Sequence, residues 1–167
     1  MSISPLLLLF PAAMAFAAAM DLVTFTIPNK VSIALVAAFV LTAPLVGLSP
    51  LDILWHASAG TGALAAGIAM FARGWIGGGD AKLMAATALW LGFEDLTAYL
   101  LMTAMLGGVL AILILAYRSV ALPWWLVGQD WAVRLHHADE GIPYGIALAG
   151  AALWIYPSSK WFAALGI

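Results

Sequence analysis

Apolar residues fill this chain in long runs, broken at intervals by short clusters of proline, glycine and charge. A helix needs about 20 apolar residues to cross the hydrocarbon core of a bilayer, and runs of this length predict an all-α polytopic membrane protein, a bundle of about six transmembrane helices. The first run extends from about Ile3 to Met20 and continues as helix through Phe25. Ile27-Pro28-Asn29-Lys30 ends it, with Asn29 the expected N-cap of the next helix. A second span covers Val31 to about Gly47, Leu48-Ser49-Pro50 forms a turn, and a third covers about Leu51 to Ala72. On that third span Ser58, Gly62 and Ala66, and again Ala59, Ala63 and Gly67, recur every fourth residue, a spacing of small side chains that suits close helix packing.

The fourth span starts after Asp80 and must end before Glu94-Asp95, which leaves roughly 13 residues, or about 20 Å of helix. That is short of the ~30 Å hydrocarbon core, so Asp80 is expected to lie recessed, in a cavity open to one side. A fifth span covers Leu96 to Tyr117 and a sixth Ile142 to Tyr156, followed by Pro157-Ser158-Ser159-Lys160 and an apolar tail too short to cross. The longest loop, Arg118 to Gly141, places Trp124, Val127, Trp131 and Leu135 on one helical face, the pattern of an interfacial amphipathic helix anchored by tryptophan.

Composition supports this picture. The 167 residues are 65% hydrophobic and only 8% charged, against about 25% charged in a soluble domain. A net charge of −2 gives no suggestion of nucleic-acid binding, and the absence of cysteine excludes disulfides, thiolate catalysis and a cysteine zinc site. No linker or low-complexity segment divides residues 1–167, which are read as one domain. Met1-Ser2-Ile3-Ser4 carries no basic segment and more spans follow, so the first run is read as a retained helix rather than a cleaved signal, despite Ala17-Ala18-Ala19. Lys30, Arg73, Lys82, Arg118 and Arg134 all fall in loops after odd-numbered spans, while Lys160 alone lies on the other side. The positive-inside rule then makes the odd loops cytoplasmic and puts both termini outside.

The candidate chemistry lies on that cytoplasmic side. Gly77-Gly78-Gly79-Asp80 sets a carboxylate after three residues without side chains, and an ionisable residue at a bilayer edge is a functional candidate by default. Asp21, about two helical turns before Pro28, falls on the same side at similar depth. Two carboxylates held close cannot both ionise with ease, so one keeps a proton; one can then act as general base on water while the other hydrogen-bonds the attacked carbonyl. That is the equipment of an aspartic peptidase. A phosphate loop is excluded because Gly79 precedes Asp80 rather than Lys-Ser/Thr, and the GxGxxG pattern also fails. Asp52, His56, Glu94 and Asp95 lie at the opposite ends of their spans. His136-His137 beside Asp139-Glu140 is a poor metal set, since adjacent helical histidines point apart, and neither metal nor cofactor is expected. Lys82 is a candidate to tune Asp80 or to anchor the fourth span at the headgroups.

Gly77-Gly78-Gly79-Asp80 with Ala81-Lys82-Leu83, Asp21 ahead of Ile27-Pro28-Asn29, and Ile142-Pro143-Tyr144-Gly145 together resemble the three signatures of type IV prepilin peptidases, in order along almost the whole chain. The resemblance implies an aspartic endopeptidase of the bacterial inner membrane that removes the basic leader of a prepilin at the cytoplasmic face. Asp21 and Asp80 would be the catalytic pair. Gly77, Gly78, Gly79, Lys82, Pro143, Tyr144 and Gly145 would border the substrate, the glycines giving clearance for its backbone. Without cysteines or a long first cytoplasmic loop, the chain is similar to the short peptidases of tight-adherence (Flp) pili rather than to the bifunctional enzymes that also N-methylate. Presenilin-like enzymes share G-x-G-D but are larger. The expected partners are a prepilin precursor and the bilayer. Two other functions compete: a non-enzymatic subunit of pilus assembly, in which the aspartates only cap helices, and, ranked lower, a proton-coupled transporter.

Overall fold

The computed structural model describes residues 4–163, and every element among them is helical. The helices are α1 (Ser4–Thr24), α2 (Asn29–Thr42), α3 (Pro50–Ala72), α4 (Gly78–Arg118), α5 (Asp130–His136), α6 (Gly145–Ile155) and α7 (Lys160–Ala163), with a 3₁₀ turn at Tyr156–Ser158. The expected start of the first span at Ile3 and the end of the apolar tail lie outside the described residues. Two helices, Pro50–Ala72 and Gly78–Arg118, are long and apolar enough to cross a membrane, and Leu8–Thr24, Asn29–Thr42 and Gly145–Ser158 are shorter apolar helices.

The fourth and fifth expected spans form α4, which bends sharply at Gly92. Gly92 has φ 65° and ψ −176°, a backbone region that essentially only glycine enters. The chain reverses there. Before the bend, Ala81 lies by Gly67 and Leu89 by Gly60, so residues 78–91 run antiparallel to α3. After it, Glu94 pairs with Lys160, Leu106 meets Gly150 and Gly107 meets Tyr144, so residues 93–118 run antiparallel to α6. The last carbonyls of a helix have no partner within it. Here the Leu89 carbonyl accepts from His56 Nδ1 at 2.9 Å and the Trp90 carbonyl from Trp161 Nε1. Because a carbonyl only accepts, His56 Nδ1 carries the proton. Trp90 in turn donates from Nε1 to the Leu35 carbonyl at 2.9 Å, which fastens α2 to the bend. Phe10, Trp90, Tyr156, Phe39 and Trp161 pack ring on ring around it, with centroid separations of 4.6–6.1 Å.

The opposite end of the bundle gathers the C-terminus of α1 and the N-termini of α2, α4 and α6. Small residues make close approach possible along the way: a methyl group on Gly67 would stand 2.9 Å from Ala81 Cβ, and one on Gly60 3.0 Å from Leu89 Cβ. The outward faces are apolar, with Ile33, Val40, Leu101, Met105 and Ile112 each more than 60% exposed. Buried polar groups, among them Asp21, Thr42, His56 and Thr87, lie inward. Exposed apolar faces of this kind suit contact with a membrane or another protein.

Several boundaries differ from expectation for local reasons. The second helix stops at Thr42, and residues 43–47 turn, with Pro44 inside them and Gly47 at φ 82°. Asn29 is the first helical residue rather than the cap; Pro28 holds the cap position with φ −61° and ψ 134°, which frees the Asn29 side chain for another contact. Ser49 and Asp52 form a capping box at α3, with Pro50 in the first turn. The last helix begins at Gly145 instead of Ile142, because Pro143 precedes it in a turn. The amphipathic helix expected through Trp124–Leu135 is confined to the seven residues of α5. Pro123 and Gly128 bracket a turn region closed by three-residue bonds, Leu126 N–H to the Pro123 carbonyl and Gln129 N–H to the Leu126 carbonyl, both 2.9 Å. Trp124 therefore projects freely at 87% exposure rather than joining a helical face.

Candidate active site

Asp21 sits one turn before the end of α1 and is 5% exposed. Its Oδ2 accepts the Gly145 N–H at 2.7 Å, and the Ile146 N–H is also directed at the carboxylate. The first N–H groups of a helix lack partners within it, and a negative group is favoured against the positive end of the helix dipole. Tyr144, in the cap position of α6, makes no side-chain capping bond. Asp21 therefore caps α6 from another helix. This explains the glycine at position 145: a methyl group there would stand 2.7 Å from Asp21 Oδ2 and 2.6 Å from Ile27 Cδ1.

Asp80 is the third residue of α4, partly buried, and its Oδ2 accepts the Gly77 N–H at 3.2 Å. This is the half of a capping box that a glycine cap allows, since Gly77 has no side chain to return the bond. Asp21 and Asp80 lie at the same end of the bundle: Gly79, which precedes Asp80, and Gly145, whose N–H holds Asp21, both pack against Ile27. The two carboxylates, which α2 and α3 separate in sequence, thus come to one end of the bundle, each tied to a backbone amide at a helix N-terminus.

The other candidate residues divide. Gly78 lies against the Phe71 ring, where a methyl group would meet Cε2 at 3.4 Å, and Gly79 lies against Ile27, where it would meet Cβ at 3.1 Å. Both fit the protein's own side chains in this state, and Gly77 alone of the three is exposed. Lys82 Nζ donates to Asn29 Oδ1 at 2.9 Å, so it ties the start of α4 to the start of α2 rather than pairing with Asp80. Of the last signature, Gly145 touches Asp21 directly, Pro143 is buried, and Tyr144 lays its ring on Gly107, where a methyl group would stand 2.8 Å from Cε1.

Residues the sequence did not single out complete the site. Ile27 is 8% exposed and lies between Gly79 and Gly145. Phe25, at φ 54°, turns the chain out of α1 and carries the Arg134 guanidinium 5.5 Å above its ring. Arg118 gathers the loop that leads to α6: Nε donates to the Leu135 carbonyl at 2.9 Å and Nη2 to those of Glu140 and Gly141 at 2.8 and 3.2 Å. The signal available was Arg118 itself, a fork of donors at the end of an apolar run. Among the described residues no group of three or more His, Asp or Glu side chains is placed to hold a metal ion. His136 bonds the Val120 carbonyl through Nε2 at 2.8 Å, and Glu140 lies 3.7 Å from Arg134.

A family model described as the type IV leader peptidase family matches residues 8–112, a stretch that includes both aspartates but not α6. The chain is 31% identical over 91 residues to a "Prepilin leader peptidase/N-methyltransferase" of Aeromonas salmonicida (strain A449), covering 52% of this chain and 26% of that protein. The same figures hold for the protein of that name from Aeromonas hydrophila. The matched segment is thus about a quarter of the length of these relatives. No solved structure gives a significant match.

Proposed function

The chain belongs to the type IV leader peptidase family, and from that premise we propose that it is a membrane-embedded aspartic endopeptidase. Its substrate is a prepilin of Flp type, with a basic leader in the cytoplasm and an apolar helix in the bilayer. The observation that carries this reading is the placement of Asp21 and Asp80 at one end of the bundle, on either side of Ile27. One carboxylate takes a proton from water as that water attacks the scissile carbonyl, while the other, protonated, gives its proton to the carbonyl oxygen; as the tetrahedral diol collapses, the first passes the proton it took to the leaving amine and the second recovers its own from the diol hydroxyl. The six limbs α1, α2, α3, the two halves of α4, and α6 each cross the inner membrane, with both termini outside and the aspartates toward the cytoplasm. The charge asymmetry supports that orientation, and Asp130, Asp139 and Glu140 lie in the cytoplasmic loop, where they favour the approach of a basic leader.

The assembly-subunit reading also has an observation in its favour, since each aspartate caps a helix. One experiment separates them. The chain is co-expressed with a Flp-type pilin precursor, and leader removal is read by mass spectrometry for the wild type, Asp21→Asn and Asp80→Asn. Asparagine can still accept the capping N–H but cannot exchange a proton. The peptidase reading expects both variants to insert and fold without cleaving. Full cleavage by either folded variant rejects it.

A further inference from the structure

We propose that Ile27 is a positioning residue that sets the separation of the two carboxylates, an inference that rests on the peptidase reading above. Its side chain is gripped from both ends. At its root, a methyl group on Gly79 would meet Ile27 Cβ at 3.1 Å and its backbone N and O at 3.4 and 3.5 Å. At its tip, a methyl group on Gly145 would meet Cδ1 at 2.6 Å. Gly79 immediately precedes Asp80, and the Gly145 N–H holds Asp21. The helix N-terminus that carries one carboxylate and the helix N-terminus that grips the other therefore bear on opposite ends of one isoleucine.

Ile27 suits the role of a fixed gauge. A β-branched side chain is stiff at χ1, and Pro28 restricts the residue before it to extended backbone. The turn is pinned on its far side, where Asn29 Oδ1 accepts from Lys82 Nζ at 2.9 Å and ties it to the same helix that carries Asp80. Burial to 8% exposure leaves the side chain no room to swing out. Lys82 thus acts on the site through the position of this turn and not by pairing with Asp80.

The geometry makes the two ends separable. Valine keeps the Cβ that touches Gly79 and removes the Cδ1 that touches Gly145, so Ile27→Val releases the Asp21 side alone, while Ile27→Ala releases more. The test uses the full chain in detergent with a purified Flp-type prepilin, measuring kcat, KM, the pH dependence of kcat and the midpoint of thermal unfolding. Misplacement of catalytic groups by about 1 Å can cost 100-fold in rate; Ile27→Val is expected to lose roughly 10-fold in kcat and Ile27→Ala roughly 100-fold, with KM changed less than about two-fold. Closer carboxylates interact more strongly and their two apparent titrations move apart, so the pH bell of Ile27→Val broadens. A purely structural role would lower the unfolding midpoint and leave the shape of the bell unchanged. Wild-type kcat and bell width in folded Ile27→Val overturn the proposal, as does a loss of kcat at unchanged width. The peptidase reading fails separately, and takes the gauge with it, if the wild type does not cleave or if Asp21→Asn cleaves in the same preparation.

Discussion

On the peptidase reading Asp21 does two jobs, and two substitutions pull them apart. Its carboxylate is 5% exposed and accepts the Gly145 N–H at 2.7 Å, with the Ile146 N–H also aimed at it. Asp21→Ala removes the acceptor and leaves these amides buried at the start of an 11-residue helix that has no cap of its own. Loss of a helix cap costs about 0.5–2 kcal/mol, and a buried donor left without a partner about 1–3 kcal/mol. The alanine variant is therefore expected to lose about 2–3 kcal/mol of stability. Asp21→Asn keeps a carbonyl oxygen at the same place; asparagine and aspartate cap about equally well, so its loss should stay below about 1 kcal/mol. Catalysis does not follow that order, because neither variant can carry the proton: both are expected to lose at least the 10²–10⁴-fold that a positioned acid or base contributes. The assay is thermal unfolding in detergent beside leader cleavage followed by mass spectrometry on the same samples. Equal destabilisation by asparagine and alanine would show that the charge, and not the capping bond, holds α6. Cleavage by Asp21→Asn within about three-fold of the wild type would remove Asp21 from the chemistry.

Three further substitutions test the framework around the pair. Gly145→Ala drives a methyl group to 2.7 Å from Asp21 Oδ2 and 2.6 Å from Ile27 Cδ1, so cleavage should fall at least 100-fold while the bundle still inserts; unchanged cleavage would contradict the contact. Gly92→Ala puts a side chain at φ 65° and against the His56 ring at 2.9–3.1 Å, and thermal unfolding should register at least the 1–3 kcal/mol of backbone strain. Trp161→Phe keeps a ring in the aromatic cluster but takes the donor from the Trp90 carbonyl, with an expected loss of about 1–3 kcal/mol and a cleavage rate, measured far from the bend, changed less than about two-fold.

The apolar runs and their punctuation were enough to locate the helices, because each break is made by a residue with one physical effect. Pro28, Pro50 and Gly77 mark three helix starts, and Ser49-x-x-Asp52 is a capping box readable from four letters. The ends were less legible. Val31 to Gly47 is apolar throughout, and nothing in hydropathy says that the helix stops at Thr42 and that a turn ending in Gly47 follows. The loop helix shows the same limit from the other side. Trp124 and Trp131 share a face only if residues 124–135 are helical, but Pro123 and Gly128 favour turns, and local backbone chemistry prevailed over the periodic pattern.

The two carboxylates of the candidate site stand out in the sequence, and the packing around them does not. A carboxylate costs free energy in an apolar run whatever surrounds it, so Asp21 and Asp80 announce themselves from the sequence alone. Ile27 carries no such cost: it stands in the Ile27-Pro28-Asn29 signature, but an isoleucine in a chain that is 65% hydrophobic gives no chemical signal of its own until its neighbours are known. The glycines read in the sequence as space for a substrate backbone, and in the folded bundle Phe71 lies against Gly78 and Ile27 against Gly79. An absent side chain reveals only that something comes close, not which chain it belongs to. Here the same absence serves both ends of Ile27, at Gly79 and at Gly145, which lie 66 residues apart in the numbering and meet only in the folded bundle. On the peptidase reading a substrate backbone that reaches both aspartates either passes beside Ile27 or displaces it, and the Ile27→Val rate distinguishes these routes. A side chain that has to be displaced would be easier to move when shortened, giving a faster variant; a gauge that must stay gives a slower one.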